Sequence, residues 1–155
     1  MRYLEPKVEQ ALLDMDFIGK YKKLSNEYNE LRAPMDKRLK YIDVEIVKDI
    51  MSRIGYETKF DRKEKFFKTK DKKNGKYSYR CHFMLDCGKV DMMWIIYKNE
   101  KLIVADSIGM YPRFIIDYDY IIKRPAFKNY EDLEKILQTE FEMFKEFRYI
   151  LFEQE

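Results

Sequence analysis

The hydrophobic period of this chain changes once, at Gly55, and that change separates a helical first third from a stranded centre. Before Gly55, apolar residues recur every three or four positions. Val8, Leu12, Met15, Ile18, Tyr21, Leu24, Tyr28 and Leu31 form one stripe; Ile46, Val47, Ile50, Met51 and Ile54 form a second. Such spacing places each set on one face of a helix. Pro6 suits a first helical turn, where its missing N–H is not needed. Gly19 interrupts the first stripe, which predicts one bent helix or two short ones, and Pro34 ends it. For the second helix, Asp43 stands as N-cap and Gly55 where a left-handed C-terminal cap is wanted.

Beyond Gly55 the period is two. Residues 56–60 and 65–70 read as short polar strands, and Asn74-Gly75 is a strong hairpin turn signal. In the next strand Tyr77, Tyr79, Cys81, Phe83, Leu85 and Cys87 point one way, and Lys76, Ser78, Arg80, His82 and Asp86 the other. Residues 90–97 are apolar on both faces, which predicts a central strand covered on both sides. After the turn Lys98-Asn99-Glu100, residues 102–107 form another strand, while residues 113–120 fit either a last strand or an ordered loop. Asn129 and Asp132 open a final amphipathic helix whose stripe is Leu133, Leu137, Phe141, Phe144, Ile150 and Leu151. Short turns between strands imply an antiparallel meander. The expected fold is therefore α+β: N-terminal helices, four to six antiparallel strands, and a long C-terminal helix packed on the sheet, with residues 1–155 forming one domain.

Composition limits the classes of function. The 155 residues are enough to bury roughly two thirds of the unfolded chain's surface without a disulfide or metal. Lys plus Arg number 31 against 28 Asp plus Glu, too balanced to imply nucleic acid by itself. The charge is unevenly placed: residues 61–80 are basic, and the segment from Glu131 onward is acidic, with Glu140 among its carboxylates. A dipolar molecule of this kind steers charged partners. No apolar run approaches the roughly 18 residues of a membrane span, and no apolar core marks a leader at residues 1–10. With only two cysteines, a reducing, cytoplasmic setting is expected.

Chemical motifs are sparse. His82 is the only histidine, and Cys81 beside it points to the opposite sheet face, which excludes a simple Cys–His dyad. Cys81 and Cys87 would lie about 20 Å apart on a straight strand, well beyond the roughly 7 Å a disulfide spans; both are expected as small core residues. No metal-ligand set or cofactor motif is present, so neither a metal nor a cofactor is expected. Asp117 and Asp119 would share a face if their segment were a strand. Glu57-Thr58-Lys59 matches half of a metal-dependent nuclease signature, which leaves an enzyme of that kind as one reading.

Two binding surfaces are expected. Tyr111, Arg113, Asp117, Tyr118, Asp119 and Tyr120 combine residue types that anchor protein interfaces. They suggest a non-catalytic binder, most concretely an inhibitor or immunity-type protein neutralising a bacterial toxin or another enzyme. The alternative is a nucleic-acid surface built from Lys68, Lys72, Lys73, Lys76, Tyr77 and Arg80, where rings stack bases and cations hold phosphates.

Overall fold

The fold is known from a computed structural model that describes residues 4–153. Three helices come first: α1 (Pro6–Asp14), α2 (Phe17–Tyr28) and α3 (Val44–Ile54). Six antiparallel strands follow: β1 (Thr58–Asp61), β2 (Phe66–Thr69), β3 (Lys72–Asn74), β4 (Tyr77–Met84), β5 (Asp91–Lys98) and β6 (Lys101–Ser107). A short α4 (Tyr111–Ile115) and the long α5 (Tyr130–Glu153) complete the chain. The sheet order is β1-β2-β4-β5-β6, and β3 pairs with the N-terminal half of β4. This is the expected α+β arrangement, and α5 packs on the sheet.

The first apolar stripe is two helices, as one expectation had it, but the break lies before Gly19. Asp16 adopts a left-handed conformation (φ 52°), and its carboxylate accepts from the Gly19 N–H. The side chain therefore ends one helix and caps the next. Leu31 lies beyond α2 and is largely exposed. Helix α3 has the expected ends. The Asp43 side chain accepts from the Glu45 N–H, and Gly55 (φ 109°) lets the Gly55 and Tyr56 N–H groups both reach the Met51 carbonyl.

The β3–β4 hairpin is displaced by one residue from the expected turn. Asn74 pairs with Tyr77, so the two loop residues are Gly75 and Lys76. Only Gly75 has positive φ, the arrangement that puts glycine at the first central position. Strand β4 stops at Met84. Cys87 is thus off the strand, left-handed (φ 55°) and exposed, whereas Cys81 is buried as expected. Residues 113–120 contain no strand: α4 ends at Ile115 and a turn follows.

One side of the sheet makes the core. Trp94 of β5 stacks on Phe144 and Phe147 of α5 at 5.2 Å each, and meets Phe17 edge-on at 5.7 Å. Phe67 stacks on Phe83 at 5.1 Å, and Tyr77 on Phe152 at 4.0 Å. Truncating one of these core rings typically costs about 3–5 kcal/mol. Among the described residues the other side receives no ring contact from a helix, although residues 90–97 predicted cover on both sides. Ile95 is nonetheless buried there, between its cross-strand neighbours Arg80 and Ala105.

Two charged side chains lie inside the apolar stripe of α5. Arg148 stacks on the Tyr79 ring at 4.0 Å and reaches the Tyr56 hydroxyl. Glu140 is wholly buried, and neither of its carboxylate oxygens has a hydrogen-bond partner. Burial, and secondarily the charge of Asp91, push its carboxyl well above the ordinary range.

Candidate functional site

The segment after α4 is an ordered, protruding loop. The Arg113 guanidinium covers the Tyr118 ring at 4.1 Å, and its Nε donates to the Tyr118 carbonyl at 2.6 Å. The Asp117 carboxylate accepts from the Asp119 N–H, and the Tyr120 N–H donates to the Asp117 carbonyl. Asp117 therefore organises a turn instead of facing Asp119 across a strand. Held this way, Ile116, Tyr118 and Ile121 are 52, 58 and 70% exposed. Tyr120 is half-buried against the core. Tyr111 does not belong to this surface: it is fully buried, edge-on to Phe17 at 5.4 Å. Ile116 and Ile121 were not among the expected residues. An alternating strand would have turned at least one of them inward, whereas the turn after α4 leaves both exposed.

The second surface lies on the open side of the sheet. Between β2 and β3, Lys70 and Asp71 interrupt the pairing with β4. The Thr69 hydroxyl accepts from the Cys81 N–H at this break and so replaces a ladder partner. The interruption leaves a cleft of about 490 Å³, lined by Glu57, Lys59, Lys68, Thr69, Lys70, Asp71, Arg80 and His82. The row Lys59, Lys68 and His82 in it is set by register. Lys59 stands opposite Lys68, and Lys68 opposite His82, across three strands. Like charges directly opposite each other on a sheet are destabilising. Arg80 pairs with Asp71 at 3.2 Å and Lys70 with Glu57 at 3.7 Å. Among the described residues Lys59 and Lys68 have no ion-pair partner.

His82 is half-buried in this cleft. Its Nε2 accepts from Arg80 Nε at 3.0 Å, so the ring proton sits on Nδ1 and the imidazole is neutral. Burial, then Arg80, then Lys68 push its pKa below the usual histidine value. Phe66 packs on its ring at 4.8 Å, and Arg80 lies over Tyr97 at 5.5 Å.

Of the expected nucleic-acid residues, the structure brings only Lys68 and Arg80 into this cleft. Lys72 turns to the helical side, where it caps α3 through the Gly55 carbonyl and covers Tyr56 at 4.2 Å. Lys73 and Lys76 sit at the exposed hairpin end, and Tyr77 is buried against α5. Lys59 was missed as a cationic neighbour of Lys68, because their partnership depends on β1–β2 register. Glu57 and Lys59 do share the cleft with Asp71, but each carboxylate there is already bonded to a cation. Cys81 lies on the opposite face with its thiol pushed up by burial, so it and His82 are not partners. Among the described residues no cluster of three metal-ligating side chains occurs, and no helix is long and apolar enough to cross a membrane. Comparison with protein-family models, curated proteins and solved structures gives no match.

Proposed function

We propose that the chain is a non-catalytic protein-binding domain of the inhibitor or immunity type, with residues 116–121 as its anchor. The observation that carries this reading is the exposure of Ile116, Tyr118 and Ile121 on a loop already held by Arg113. Large side chains fixed before binding lose little conformational freedom on association, which is how a small patch reaches high affinity. Asp117 and Asp119 flank Tyr118 and are exposed. The complementary partner surface is an apolar pocket rimmed by cations. An enzyme that binds a polyanionic substrate, such as a nuclease toxin, presents such a pocket, and insertion of this loop would block it.

The test is affinity capture from the native host with the wild-type chain and with Tyr118→Ala/Ile121→Ser. A one-to-one complex by light scattering, weakened about 30-fold or more in the variant, is expected for truncation of a central anchor. The captured enzyme should lose activity in proportion to bound domain. Absence of any stoichiometric partner, or a partner held equally by the variant, would refute the assignment.

A further inference from the structure

We infer that the open side of the sheet is a second, separate site, which takes the backbone and bases of a single-stranded nucleic acid. Three observations converge on it. First, register sets Lys59 directly opposite Lys68, with His82 next in the row, so two like charges repel across β1 and β2. Neither lysine has an ion-pair partner among the described residues, because Glu57 and Asp71 of the same cleft pair with Lys70 and Arg80; a bound anion would supply the missing charge. Second, Arg80 is held at the cleft by bonds to His82 and Asp71, so its guanidinium is oriented before any ligand arrives. Third, rings border the cations: Phe66 on His82, and Tyr97 beneath Arg80. Aromatic faces beside Lys and Arg on an exposed sheet match a strand of unpaired bases, whose phosphates and rings alternate. A duplex hides its base faces and would meet this cleft only through phosphates. An acidic polypeptide would have no use for the rings.

The histidine adds a pH dependence. Its Nε2 accepts from Arg80, and the groups facing it are Arg80, Lys68 and Phe66, with Asp71 beyond. A phosphate in the cleft favours protonated His82, and protonation ends its acceptance from Arg80. Arg80 then keeps its ion pair with Asp71, and protonated His82 stands beside Lys68 as a second cation for the phosphate. Lower pH should therefore tighten binding, and binding should raise the histidine's titration midpoint.

The test uses the full chain and a fluorescein-labelled 12-nucleotide oligouridine, followed by anisotropy. A matched RNA duplex and a labelled polyglutamate of similar length serve as comparison probes. Neutralising about three phosphates predicts a log–log salt slope near −2, or roughly 20-fold weaker binding from 50 to 200 mM salt. Lys59→Glu/Lys68→Glu should abolish binding, while Lys22→Glu/Lys23→Glu, the same charge change on exposed α2 positions, should retain most of it. Phe66→Ala should cost roughly tenfold or more through lost stacking. Equal retention of the single strand by both charge variants overturns the site. Duplex bound as tightly as the single strand reduces it to unspecific charge attraction, and tighter binding of polyglutamate makes it an acidic-protein surface. No binding at 50 mM salt removes it. Unchanged thermal midpoints in the variants show that any loss is not unfolding.

Discussion

Glu140 should make this protein less stable as the pH rises above the ordinary carboxylate range, the reverse of what a paired surface carboxylate does. The side chain is wholly buried between Leu137 and Phe144 on the inner stripe of α5, with no hydrogen-bond partner for either oxygen. Its pKa in the folded state is raised, first by burial and then by Asp91. Between the ordinary value of 4.5 and the raised value, the folded state holds a proton that the unfolded chain has released. Stability is therefore full below 4.5 and falls as pH rises through that window. Each pH unit inside the window costs about 1.4 kcal/mol. Glu140→Gln keeps shape and polarity but cannot ionise. Its stability should match the wild type near pH 4.5 and exceed it increasingly as pH rises, by about 1.4 kcal/mol per unit inside the window. Glu140→Leu removes the unpartnered polar group as well, worth about 1–3 kcal/mol at any pH. Urea unfolding at pH 5, 6 and 7 measures all three proteins. If the Gln variant shows the same pH slope as the wild type, the carboxyl is not held neutral in the core and the reasoning fails.

Two further outcomes concern groups whose partners are defined by the fold. The His82 resonance should titrate below the usual histidine midpoint, and Lys68→Ala or Arg80→Ala should each move it upward. Because the folded pKa is lowered, the corresponding stability is present above 6.5 and lost as pH falls through the folded value, a loss both variants should lessen. Glu30 accepts from Lys89 and Lys123, which hold its carboxyl at about 2. A carbon-detected titration should find that midpoint and see it rise in Lys123→Ala. A midpoint near 4.5 in the wild type would show that these contacts do not persist in solution.

The local pattern determined most of the elements, because a helix or strand needs only its own period and its own ends. Asp43 and Gly55 bracketed α3, and Asn129 with Asp132 opened α5 through a side-chain bond from Asn129 to the Asp132 N–H. Alternation along residues 77–83 correctly separated Cys81 from His82, since a strand turns adjacent residues to opposite faces. The signal for Glu140 was also present: it lies three residues after Leu137 and four before Phe144. A carboxylate is ordinarily solvated, and the burial of Glu140 follows only from how α5 meets the sheet.

What tertiary structure alone decided is everything that depends on register or on two distant segments meeting. The helical turn at Tyr111–Ile115 took Tyr111 into the core and swung Ile116, Tyr118 and Ile121 outward. Strand β4 ended early, which removed Cys87 from the sheet. The row Lys59–Lys68–His82 draws one residue from each of three strands, and a slip of one position in either pairing would scatter it to opposite faces. No property of those residues read singly contains that alignment. It arises because buried Phe67 and Phe83 lock one face of the sheet against α5, and the opposite face is thereby fixed as well.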